Sequence, residues 1–250
     1  MLIDAHTHFR DEDWLLLPDI ALRDDLMLLP NGDNPEECAR LFALAEEHTH
    51  IVPIIPTCGI HPWKADRTSL EEMRPFLEEC SIIGEIGLDN VWCDVLLSEQ
   101  RQIFSAQLEL AQRLGKAILL HTKGCEAEIA ETIRPYTMHK LVHWYSAVEH
   151  LDAYLDQDCW FTVGPHPADP AVAQVARRVP LNRLLLETDG RAAVEWATGE
   201  RITPDGLRRH LLRMTDWVAA LRGVTPEWLE RQMVENLNEF IGITPEGGAE

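Results

Sequence analysis

No stretch of this chain approaches the ~20 consecutive apolar residues that a membrane-spanning helix needs, and the basic-then-apolar layout of a signal peptide is missing from its start. A cytoplasmic protein without a membrane partner is therefore expected. Positive charge is scarce: 22 Lys and Arg stand against 42 Asp and Glu, a formal charge of −20. That balance argues against coating long nucleic acid as a main task, because such proteins carry a basic surface. It permits a phosphate substrate at a locally positive site, since a bound metal reverses the local sign. Cysteine is sparse and dispersed (Cys38, Cys58, Cys80, Cys93, Cys125, Cys159), with no C-x-x-C pair, so reduced, buried or half-buried thiols are expected. G-x-G-x-x-G, the P-loop, G-x-S-x-G and H-E-x-x-H are all absent, and with them the usual signatures of nucleotide cradles, serine nucleophiles and helical zinc sites. No linker, low-complexity segment or repeat interrupts the chain, and a single domain over 1–250 is the simplest reading.

What the chain does have is a recurring alternation. Short apolar runs appear at 1–4, 26–29, 51–56, 81–86, 117–120, 140–143, 159–163 and 183–187. Stretches with helical spacing lie between them at 34–48, 69–80, 98–115, 147–155 and 169–179, with Ser69 and Ser98 as expected N-caps. Two more helices are expected within 205–241. Eight strands alternating with helices predict a closed parallel α/β barrel, the (β/α)8 TIM barrel; an open doubly wound sheet is the alternative.

The chemistry sits at the strand ends. "IDAHTH" puts His6 and His8 on one face of the first strand, with Asp4 beside them, because strand side chains alternate. The third strand leads to His61 in "CGIHPW", the fourth carries Glu85 in "IGEIGLD", and the fifth ends at His121. The sixth ends at His143 and the eighth leads to Asp189 in "LLLETDG". Barrel enzymes build their sites on the rim at the C-terminal strand ends, so these residues should converge. A lone histidine after a strand is ordinarily structural. A full set at equivalent ends of successive strands is read as a metal centre of His6, His8, Glu85, His121, His143 and Asp189. Glu85 on an apolar strand would be costly without partners. His48, His50, His139, His150 and His210 are read as structural, whereas His166 lies on the correct rim for a substrate contact.

At these motifs the sequence resembles the TatD family of metal-dependent deoxyribonucleases, within the amidohydrolase-like barrels. The matches are "DAHTH" (4–8), "GIHPW" (59–63), "IGEIGLD" (83–89), "HTKG" (121–124), "HWYS" (143–146), "ETD" (187–189) and "ENLNEFIGI" (235–243). The resemblance implies two divalent ions and hydrolysis of a phosphodiester. His6 and His8 would hold one ion, Glu85 would bridge both, and His121 with His143 would hold the other. Asp189 would sit beside the attacking water and His61 near the scissile phosphate. The chain departs from the family pattern at Lys123, where an Arg is usual, at Asn90 and Ile241, where aromatics are usual, and across 190–204. That last segment reads as a candidate lid.

A mechanism follows from these ligands: metal-activated water as nucleophile, with Asp189 and Glu85 as the carboxylates around it. Imidazole-rich ligation suits Zn, Mn, Fe or Ni better than Mg. Lys64, Lys123 and Arg191 are candidate contacts to phosphate oxygens, and Trp63 and Trp144 could stack on a base. The expected substrate is DNA or a small phosphate compound. Two alternatives stand beside it: a hydrolase of a small amide, lactone or phosphoester, and a non-catalytic metal-binding subunit.

Overall fold

The structure, a computed structural model, describes residues 1–14, 25–48 and 53–242. Strands β1 (Leu2–Thr7), β2 (Leu26–Gly32), β3 (Thr57–Cys58), β4 (Ile82–Asp89), β5 (Ala117–Lys123), β6 (Lys140–Val142), β7 (Trp160–Val163) and β8 (Leu184–Leu186) pair in parallel and in chain order. They form a nearly closed (β/α)8 barrel. Around it run α1 (Asp11–Trp14), α2 (Pro35–His48), α3 (Leu70–Glu79), α4 (Leu97–Leu114), α5 (Glu126–Ile133), α6 (Leu151–Leu155), α7 (Pro170–Arg178), α8 (Arg191–Thr198), α9 (Pro204–Arg222) and α10 (Pro226–Phe240). Both faces of the sheet are covered, which is why the strands read as near-continuous apolar runs. Every residue of β4 is buried, Glu85 included. No helix among the described residues is long and apolar enough to cross a membrane.

The barrel closes differently at its seam. Between β8 and β1 the Asp189 N–H donates to the His6 carbonyl at 3.0 Å. The Asp4 carboxylate accepts from the Thr188 N–H (2.8 Å) and the Thr188 hydroxyl (2.5 Å), so a side chain stands in for ladder bonds. Burial pushes the Asp4 carboxyl up to about 7, against the pull of those hydrogen bonds. Asp189 itself takes a positive φ of 55°, unusual for a residue with a Cβ. That turn aims its N–H at β1.

Helix α4 positions two rim loops through buried glutamines. Gln107 clamps Ile60, accepting from its N–H (2.7 Å) and donating to its carbonyl (3.1 Å), directly before His61. Gln100 does the same for Asp89, at 2.9 and 3.0 Å. Neighbouring strands are held in register by Gly87, which pairs with His121. Gly87 has φ +153°, and a Cβ there would lie 1.9 Å from the His121 carbonyl oxygen. Only glycine allows that approach.

Several expected elements differ. The third strand is Thr57–Cys58 rather than 51–56; Ile54 makes a single bridge to Leu28, and 51–52 lie outside the described residues. Pro53 and Pro56 have no N–H to give a ladder, so regular pairing begins after them. Ser69 caps α3 as expected, accepting from Glu71 N–H, but Ser98 lies inside α4, whose cap is Leu96. The helix expected over 147–155 is only Leu151–Leu155, since His150 turns left-handed at φ 66°. The 190–204 segment contains α8, a regular helix. The six cysteines are free thiols, five buried and Cys93 half-buried.

Candidate metal centre

The strand ends converge as expected, with Glu85 at the hub. Its Oε2 lies 3.2 Å from His6 Nε2 and 3.2 Å from His8 Nε2. Its Oε1 lies 2.5 Å from His121 Nδ1, 2.7 Å from His143 Nε2 and 3.3 Å from His61 Nε2. Asp189 Oδ1 approaches from the seam, 3.4 Å from His6 Nε2 and 3.7 Å from His8 Nε2. Burial alone would raise the Glu85 carboxyl, but the imidazoles of His143, His61 and His121 outweigh it and hold it well below the usual carboxylate range. Asp189 is likewise lowered against its burial by His6 and His8. Burial works against a charged His8, yet Glu85, Asp33 and Asp189 carry it up to about 9.

An outer layer of acids orients the rings. His121 Nε2 meets Asp89 Oδ2 at 3.0 Å, which turns Nδ1 toward Glu85. Asp89 also accepts from Trp63 Nε1 (2.8 Å) and from the Val91 and Trp92 N–H groups (2.8 Å each). Glu187, fully buried, sits 3.6 Å from His143 Nδ1. Acids behind ligand histidines are the usual way a metal site fixes ring orientation.

These residues fit divalent cations. Three overlapping groups each bring their ligand atoms within 4.8 Å of one another: His6, Glu85 and His143; His6, His8 and Asp189; His61, Glu85 and His121. Both His6 ring nitrogens and His143 Nδ1 are buried without a well-formed hydrogen bond. Orphaned buried nitrogens are costly, and His6 Nε2, which faces the Glu85 and Asp189 carboxylates, suits a cation. His61, which the resemblance places near the scissile phosphate, lies 3.3 Å from both Glu85 and His121, slightly farther from Glu85 than the other histidines.

The cluster forms the floor of a cavity of about 750 Å³, which Trp63, Lys64 and Lys123 also line. Lys123 Nζ donates to Ser146 Oγ at 2.8 Å. The Arg191 guanidinium pairs with Asp13 (2.6 Å), which lines the cavity, and with Glu195 (3.2 Å). It ties α8 to the rim because Asp13 is a buried acid needing a cation. His166 is held edge-on against Trp196, their centroids 6.2 Å apart. Sequence reasoning did not single out Asp33, Trp92 and Trp196, which line the cavity, or Asp89 as the partner of His121. Asp89 closes the motif "IGEIGLD", so the available signal was an acid at the last position of the strand bearing Glu85.

A parallel barrel that gathers imidazoles around a shared carboxylate on its C-terminal rim has the build of a metal-dependent hydrolase. The chain belongs to the TatD-related DNase family, whose family model matches residues 3–242. Among curated relatives, the 3'-5' ssDNA/RNA exonuclease TatD of Dickeya dadantii is 30% identical over 233 residues, covering 86% of each chain. The uncharacterized metal-dependent hydrolase YjjV of Escherichia coli K12 is 27% identical over 206 residues, 75% of this chain and 78% of that one. The crystal structure of YjjV superposes with a TM-score of 0.79 at 21% identity, covering 97% and 98% of the two chains. A TatD-family hydrolase from Entamoeba histolytica gives 0.81 at 13% identity over 97% and 98%, a likeness of fold.

Proposed function

We propose that the protein is a binuclear phosphodiesterase acting on single-stranded nucleic acid. The observation that carries this reading is the division of Glu85: one oxygen faces His6 and His8, the other His61, His121 and His143. A carboxylate shared in this way suits two cations. His6, His8 and Asp189 would hold one, His121 and His143 the other, with His61 beside the latter. Bound divalent cations supply Lewis acidity and lower the pKa of water toward neutrality.

The chain's own residues do the rest. The Asp189 carboxylate, ionised and at the cavity floor, orients the attacking water and takes up its proton. Lys64 and Lys123 hold phosphate oxygens. Asp89 keeps the His121 ring from turning, and Glu187 stands behind the His143 ring. Named relatives that are exonucleases on single-stranded DNA and RNA support the substrate class.

Asp33 and Glu37 in the cavity wall favour a second reading, a small substrate carrying few phosphates. Both readings meet one test: elemental analysis of protein purified without chelators, beside assays on single-stranded DNA, RNA and small esters. Two cations per chain with nucleotide release are expected. A metal-loaded protein inert on every nucleic acid would overturn the nuclease reading.

A further inference from the structure

We propose that Trp196 and Trp144 form a stacking subsite for the nucleobase next to the scissile phosphate, which makes an unpaired base a requirement for good binding. The proposal rests on the phosphodiesterase reading and adds the group recognised beside the phosphate. Trp144 directly follows His143, and both line the same cavity, so a ring against its indole shares that cavity with the His–Glu cluster. Its seat is built for it. The backbone takes a φ of 30°, the N–H donates to Thr162 Oγ1 at 3.0 Å, and the indole lies over Gly164, where a Cβ would stand 2.4 Å from Trp144 Cδ1.

Trp196 comes from α8, within the 190–204 segment. Its ring centroid is 5.9 Å from that of Trp144 at an interplanar angle of 65°, and the His166 ring also meets it edge-on. Both tryptophans line the cavity, yet Trp196 remains 66% exposed. Helix α8 does not need this indole for anchorage. Val194 packs with Leu207 and Ile202 in a small core of its own, and Arg191 binds Asp13. A large apolar ring left at the mouth of a cavity, on a helix secured by other residues, suits a planar ligand. Lys64 and Lys123 mark where phosphate oxygens go, leaving the indoles for the base. Every base has a π-face, so such a subsite tolerates sequence but not a base hidden within a duplex stack.

Calorimetry on the metal-loaded protein, with deoxyadenosine monophosphate and deoxyribose 5-phosphate as probes, tests this. The wild type is expected to prefer the base-bearing probe by about tenfold or more. Trp196→Ala should erase most of that preference, and Trp196→Phe should keep most of it. Equal affinity of the wild type for the two probes, or an undiminished preference in Trp196→Ala, would overturn the subsite. Oligonucleotide hydrolysis measured in parallel separates the two proposals. A Trp196-dependent preference without hydrolysis leaves the subsite and removes the phosphodiesterase reading; hydrolysis without a preference does the reverse.

Discussion

The floor and the rim of the cavity are built on opposite principles. The floor is a knot of buried ionisable groups on strand ends: Glu85, His6 and His143 are almost wholly enclosed, and each is held by another charged member. The rim consists of half-exposed tryptophans on short helices and turns, secured by ion pairs such as Arg191 with Asp13. Change in the floor should abolish chemistry, because no member can move without leaving a buried charge unpaired. Change in the rim should alter which substrate binds, at modest cost to the fold.

The largest effect should come from the hub. Glu85→Gln removes the charge shared by the two imidazole sets, and hydrolysis should fall by at least about three orders of magnitude with cation content. Elemental analysis beside rate measurement checks this; wild-type cation content in the variant would break the picture of a shared floor. Asp189→Asn should act more selectively. We expect kcat to fall by about 10²–10⁴ with KM little changed, because a proton acceptor is lost while most ligands remain.

The next effect lies behind the rim. His210 on α9 is buried, and burial together with nearby Arg213 lowers it to about 4. The unfolded chain takes up the proton more readily, so stability is full above about pH 6.5 and declines as pH falls toward 4. The loss is at most about 3 kcal/mol. His210→Gln should flatten thermal stability between pH 4 and 6.5, and an unchanged slope would exclude His210 as its source.

Arg191→Ala should cost about 1–2 kcal/mol by leaving the Asp13 carboxylate without its guanidinium. KM for oligonucleotides should rise several-fold while kcat on a small ester stays near wild type. An equal loss on both substrates would mean that floor and rim are not separable.

The same contrast governs what was legible in the sequence. His6, His8, His121 and His143 were readable because each lies at the end of an apolar run, and the barrel rule sends such ends to one rim. The third strand was misplaced because an apolar run containing Pro53 and Pro56 matches a strand in composition but cannot donate its hydrogen bonds. Asp89 lay in a recognised motif, yet its hold on His121 depends on the β4–β5 register, which pairs Gly87 with His121 and Asp89 with Lys123. Trp196 and Arg191 were least readable. Whether they face the cavity or a neighbour is decided by contacts to Trp144 and Asp13, distant along the chain. Local spacing encodes strand ends; it does not encode which helix face leans over them.

Lys123 belongs to both regions and gives the smallest but most discriminating effect. It ends β5, two residues after His121, yet its ammonium reaches Ser146 Oγ at 2.8 Å and lies 6.0 Å from the Trp92 ring centroid. If it holds a phosphate oxygen, Lys123→Met should raise KM for single-stranded DNA about three- to tenfold. It should also lessen the steepness of log KM against log salt concentration by about 0.7, the counterion yield of one phosphate contact on a single strand. Lys123→Arg retains the charge and adds a fork that can grip phosphate in bidentate fashion, so it should preserve the salt dependence with KM at or below the wild-type value. Ser146→Ala removes the hydrogen-bond partner but leaves the ammonium in place, and the salt dependence should persist. Were Lys123→Met to raise KM without altering the salt dependence, Lys123 would instead act as a strut between β5 and the loop after β6, and the phosphate grip would pass to Lys64.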